Sequence, residues 1–173
     1  MSPASPVNRC MRTLLPSILT LLLASCAAPY AGRNLPQGTS MAQVETTMGK
    51  PTETLVNSQG HTVWFYTTAP NGRDTWAASF MPDGRLVSVE QRLTKENIAR
   101  IVIGATTQKQ VHELLGPPAL AYPRERLGVE EWDYVVLVDN RFFDYLVRFT
   151  PDGIVREAFL LHDPIYDGGD KNG

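Results

Sequence analysis

Residues 104–118 read GATTQKQVHELLGPP, and residues 37–51, QGTSMAQVETTMGKP, say nearly the same thing earlier in the chain. The two stretches align without a gap at an offset of 67 residues. Each opens on a hydroxyl residue with glutamine three positions later, Thr107 with Gln110 and Ser40 with Gln43. That spacing is a capping box: the hydroxyl accepts a free amide proton of the first turn and the glutamine returns to the cap's own N–H. Val111, Leu114 and Leu115 then make an apolar stripe at helical spacing, as Met41, Val44 and Met48 do in the earlier copy. Gly116 and Gly49 end the helices, and Pro117, Pro118 and Pro51 bar their continuation. Helices of about eight residues do not hold alone in water, so each must be pinned to a sheet.

The sheets follow in sequence. After the first helix come a weak strand at residues 52–56, a strong one at 61–68 (HTVWFYTT), a third at 76–81 and a fourth at 85–93. Residues 94–101, capped by Thr94, read as a helix that introduces the second copy. Strands at 119–124, 130–138 (EEWDYVVLV), 142–150 and 154–162 complete it. Trp132 and Tyr134 repeat Trp64 and Tyr66 at an offset of 68, and FTPDG at 149–153 repeats FMPDG at 80–84 at an offset of 69. Drift from 67 to 69 marks single-residue insertions in the loops of a duplicated unit. The fold class is therefore α+β: two tandem repeats, each one or two short helices followed by an antiparallel meander of three or four strands. A unit of roughly 65 residues buries little surface by itself, so the copies are expected to pack together, one sheet continuing into the next.

The first 26 residues have another character. Arg9 and Arg12 precede a ten-residue apolar run at 14–23, too short to span a bilayer as a helix, and the run ends in Leu23, Ala24, Ser25 and Cys26. This resembles the lipobox of bacterial lipoproteins, in which the cysteine thiol takes the diacylglyceryl group. Met11 is an alternative start that leaves the mature chain unchanged. Cys10 falls in the discarded segment, so the mature chain carries Cys26 alone and no disulfide forms. Removing Arg9 and Arg12 leaves 14 basic against 18 acidic residues, a net charge of −4. Such a body is repelled by an anionic membrane surface, and the acyl chains must do the anchoring. The net charge of the whole chain, −2, gives no reason to expect nucleic acid, which demands a clustered basic surface. The organisation expected is a signal peptide at 1–26, a linker at 27–34, repeats at 35–93 and 94–162, and a flexible tail at 163–173.

Helix caps around Gln-Val, a Gly-x-Pro or Gly-Pro-Pro stop, and a Trp-x-Tyr strand together resemble the SmpA/OmlA (BamE-like) family of outer-membrane lipoproteins. The second copy carries the resemblance best, through Gly104, Thr107, Leu115, Gly116, Pro117, Trp132 and Tyr134. The first departs from it in placing Gln37 where the glycine falls. The tandem arrangement is similar to that of β-lactamase inhibitor protein. What the resemblance implies is a lipid-anchored protein of the outer membrane, facing the periplasm and working as a protein-interaction module. Its partners would be outer-membrane lipid, through acylated Cys26, and an envelope protein such as the β-barrel assembly machinery. The alternative is an inhibitor, or a lipid- or small-ligand-binding lipoprotein that uses a sheet face.

Catalytic patterns are not evident. His61, His112 and His162 are scattered over different elements, and their spacing does not suit a metal. His61 and His112 read as solvated loop and helix-face residues. Glu130 and Glu131 are neighbours in a strand and point to opposite faces, so they read as solvated carboxylates rather than an acid/base pair. No enzyme activity, cofactor or metal is expected. Trp64, Tyr66, Trp76, Trp132, Tyr134 and Tyr145 are the candidate partner-binding residues, since tryptophan and tyrosine anchor many interfaces. For any one of them, core packing is the competing and more ordinary reading.

Overall fold

The computed structural model describes residues 29–69 and 73–162. Leu23, Ala24, Ser25, Cys26 and the tail at 163–173 lie outside the described residues. The α+β architecture expected from the repeats is present. In the first repeat, α1 (Met41–Met48) precedes β1 (Glu53–Val56), β2 (Thr62–Thr67), β3 (Thr75–Phe80) and β4 (Leu86–Gln91). The second has α2 (Lys95–Ile98) and α3 (Gln108–Leu115), then β5 (Leu120–Arg124), β6 (Val129–Val138), β7 (Arg141–Phe149) and β8 (Val155–Leu161). Each set of four strands is an antiparallel meander in chain order.

The caps form as their chemistry requires. Thr107 Oγ1 accepts from Gln110 N–H at 3.2 Å while Thr107 N–H donates to Gln110 Oε1 at 2.8 Å. At Ser40 the hydroxyl accepts from Gln43 N–H at 3.4 Å. Each helix start is also clipped to the last strand of its own sheet. Gly38 N–H donates to Leu86 O at 2.8 Å and Gly104 N–H to Val155 O at 2.8 Å, with φ of 84° and 79°. Gly38, not Gln37, therefore takes the place of Gly104. The ungapped alignment conceals Ala105, the extra residue between clip and cap in the second repeat.

Two expectations about the elements and their assembly need correction. The helix read at 94–101 is a single α turn, because Arg100 N–H and Ile101 N–H bond three residues back, to Asn97 O and Ile98 O, and wind the chain out of the helix. The sheets do not continue into one another; they are two separate four-stranded sheets. What joins the repeats is α3, which packs on both.

One side of α3 belongs to its own sheet. Val111 and Leu115 sit with Trp132, Tyr134, Val136, Tyr145, Val147, Phe149 and Val155 in the larger core. The other side lies on the first sheet, against Phe65 and Thr75. The His112 ring stands 5.9 Å from Phe65 and 5.8 Å from Trp132, and its Nε2 is 2.7 Å from Glu53 Oε1. Ser58 Oγ donates to Glu113 Oε2 at 3.0 Å along the same seam. His112 is thus an interface residue, which corrects its reading as a solvated one. Since α1 covers the opposite face through Val44 and Met48, the first sheet is buried on both sides. This is why Ala77, Ala78, Ser79 and Phe80 are all buried in succession, where a half-exposed strand would alternate. Burying Phe65 under α3 contributes about 1.5–3 kcal/mol.

Candidate functional site

Among the described residues, the second sheet has helices on one face only. Its other face is built from alternate residues of β5–β8, and the register sorts them into rows. Tyr122, Glu131, Arg148 and Glu157 stand side by side in the first row. Glu131 is fully buried, and its two oxygens accept four hydrogen bonds. Oε1 takes Tyr122 Oη at 2.8 Å, Arg124 Nε at 2.9 Å and Arg124 Nη2 at 2.6 Å, while Oε2 takes Arg148 Nε at 2.6 Å. Arg148 Nη1 continues to Glu157 Oε2 at 2.8 Å. Burial by itself would raise the Glu131 pKa, but the donated bonds from Arg124, Arg148 and Tyr122 outweigh it and bring it down to about 2. Glu131 is therefore no solvated strand carboxylate. Its neighbour Glu130 faces the other way and accepts from Trp132 Nε1 at 2.7 Å.

The next row is Leu120, Asp133, Leu146 and Phe159, followed by Val135, Asp144 and Leu161, then Leu137 and Phe142. Leu120, Leu161 and Leu137 are 53%, 47% and 47% exposed, so this face meets solvent at those positions, while Leu146 is buried and Arg73 stacks on Phe142 at 4.0 Å. Asp133 differs from Glu131 in lacking donors: its Oδ1 is buried and has no hydrogen-bond partner. Desolvation, followed by the charges of Asp144 and Glu131, pushes its pKa up to about 6. The result is an ionic knot at one end and an underserved carboxylate amid leucines beyond it. Such a surface is equipped for recognition of a complementary group. Among the described residues no group of three metal-binding side chains occurs.

The six aromatic candidates stand on the helix-covered faces. Tyr66, Trp132, Tyr134 and Tyr145 are buried, and Trp64 and Trp76 are partly so, packed against the first core. Trp132, Tyr134 and Tyr145 are brought together in the second core, where Tyr134 Oη donates to Gly116 O at 3.2 Å. Burial raises the Tyr145 hydroxyl to about 12, and that of Tyr134 well above its ordinary value. The open face instead presents Tyr122, Arg124, Asp133 and Arg148, none of which stood out in the sequence. The available signal was the pair of acids at alternate positions in β6, Glu131 and Asp133, on the face opposite the aromatics.

Residues 91–158 match the family model described as the outer membrane protein assembly factor BamE domain. The second repeat is similar to a BamE domain. The match runs from the end of β4 into β8, and so takes in α2, α3 and the open-faced sheet. A solved structure described as a candidate β-lactamase inhibitor protein of Streptococcus mutans is also similar, at 16% identity, covering 70% of this chain and 82% of that one, with a TM-score of 0.30. No curated protein sequence matches the chain.

Proposed function

We propose that the protein is a periplasm-facing lipoprotein of the outer membrane, anchored by acylated Cys26, that serves as an interaction module in assembly of outer-membrane β-barrel proteins. The BamE domain at residues 91–158 carries this reading. The lipobox at Leu23–Ala24–Ser25–Cys26 supplies an anchor, and among the described residues no helix is long and apolar enough to cross a membrane. The open face of the BamE domain is the binding surface in this reading, and the six aromatics, four of them buried, act by shaping the sheets that present it. The chemistry is non-enzymatic. Palmitate labelling tests the anchor: label is expected in the native chain and lost in Cys26→Ala, and label that persists in the variant overturns it. Photo-crosslinkers at exposed Leu120 and Leu161 test the role. Adducts with β-barrel assembly components are expected, and their consistent absence from a well-expressed, lipidated protein counts against it.

A further inference from the structure

The two sheets are equivalent strand for strand, yet among the described residues only the first has a helix over this face. Pairing in the ladders sets Phe65 between Glu53 and Ala77, and Asp133 between Leu120 and Leu146. By the same rule Val63 corresponds to Glu131, and Thr75 to Asp144. On the first sheet this face is the seat of α3. His112 lies against Phe65, Glu53 meets His112 Nε2 at 2.7 Å, and Gly116 comes so close that an added Cβ would stand 2.7 Å from Thr75 Cγ2. The fold therefore contains one worked instance of a short amphipathic helix docked on this face.

The second sheet presents the same surface with its centre recoloured. Apolar Phe65 is replaced by Asp133, whose Oδ1 is buried without a donor, and Asp144 stands diagonally beside it. Exposed Leu120, Leu161 and Leu137 border the carboxylates, and buried Leu146 lies in the same row. Glu131 is already neutralised by Arg124 and Arg148 and attracts nothing further. An approaching group then meets Asp133, whose Oδ1 lacks a donor, inside an apolar border. A lysine or arginine within an otherwise apolar helix face does both.

We propose that the open face of the second sheet is a seat for an amphipathic helix of a partner protein, with a central basic side chain set over Asp133. This rests on the interaction role proposed above and specifies its partner chemistry. The helix takes the position that α3 takes on the first sheet. Its apolar residues cover Leu120 and Leu161, and its cation supplies the donor that Asp133 Oδ1 lacks. A buried charge pair gains little over an apolar contact in stability, but it discriminates strongly against the wrong charge.

The test uses the full mature chain and three synthetic helical peptides of about 16 residues, enough for four turns. They share one leucine stripe and differ only at its centre, with arginine, norleucine or glutamate. Amide shifts on titration are expected to concentrate on β5–β8, with the arginine peptide binding about tenfold more tightly than the glutamate peptide. Asp133→Asn should reduce that preference severalfold, and Asp133→Lys should reverse it, with the unchanged shifts of residues in the first sheet reporting an intact fold. Equal binding of all three peptides, no shifts with any of them, or shifts confined to the first repeat overturns the proposal. So does occupation of this face by a second copy of the chain or by vesicles of outer-membrane lipid in place of the peptide. Failure here leaves the crosslinking result at Leu120 and Leu161 standing, because a partner of other shape still crosslinks.

Discussion

Phe65 and Asp133 hold the same place in the two sheets, one under a helix and the other at a solvent-facing surface. The substitution has a thermodynamic signature. Asp133 titrates near pH 6 in the folded chain and near its ordinary 3.8 when unfolded. Between these values the folded state binds more protons than the unfolded one, so this group makes stability fall as pH rises from about 4 to about 6. Above that range the ionised carboxylate is a standing cost. Its partial solvent contact reduces that cost to about 1–2 kcal/mol. Asp133→Asn is accordingly expected to raise unfolding free energy by that amount at pH 7 and to change little at pH 3. Carboxyl carbon NMR should place the Asp133 midpoint near 6, and a midpoint near 4 would remove the basis for the prediction.

Glu131 behaves in the opposite sense. Its pKa is held down to about 2 against an ordinary 4.5, so its contribution to stability is full above about pH 4.5 and is lost as pH falls toward 2. Glu131→Gln removes the buried carboxylate that Arg124 and Arg148 share, leaving Arg148, whose side chain is 21% exposed, with Glu157 alone, and should cost about 3–5 kcal/mol in denaturant unfolding at pH 7. The first sheet already shows the apolar solution, with Val63 and Ser79 in the places of Glu131 and Arg148. The double variant Glu131→Val with Arg148→Ser removes both buried charges, and Arg124 is exposed enough to turn to water. That variant should recover most of the loss. If it is as unstable as Glu131→Gln, the charges were not the source of the cost.

Sequence reading reached the two units because helix caps, glycine stops and aromatic strands repeat with little drift, and each is a local signal. The strand borders in both copies fell within a residue or two of those observed, Thr62–Thr67 against 61–68 and Val129–Val138 against 130–138 among them. What covers each sheet was not local. Alternation in HTVWFYTT shows that Phe65 and Trp64 face opposite ways, but nothing nearby says that α3, more than forty residues on, lies over Phe65. His112 looked like a solvated residue because its partners, Glu53 and Phe65, come from the other repeat. The Glu131 knot was hidden for a related reason. Arg124, Glu131, Arg148 and Glu157 become neighbours only when the register of four strands is known. Each acid or base, taken singly along the chain, looks like ordinary surface charge.

Gly116 offers a direct measure of how tightly α3 binds the repeats together. Its φ of 81° is a left-handed conformation, and Gly104 has nearly the same, 79°. Alanine at either position incurs the backbone cost of about 1–2 kcal/mol. Beyond that the two sites differ. At Gly104 an added Cβ meets nothing within 4 Å, whereas at Gly116 it stands 2.7 Å from Thr75 Cγ2 and 3.0 Å from Phe65 Cδ1, both on the first sheet. Gly116→Ala should therefore lose about 2 kcal/mol more than Gly104→Ala, because the helix must lift off the sheet or the sheet must give. Thr75→Ser deletes the methyl at closest approach while keeping the hydroxyl that donates to Thr67 Oγ1 at 3.3 Å. In a double-mutant cycle Thr75→Ser should offset part of the Gly116→Ala loss and none of the Gly104→Ala loss. Equal losses at the two glycines, or no coupling between Gly116 and Thr75, would show that α3 does not rest on the first sheet as closely as these distances require.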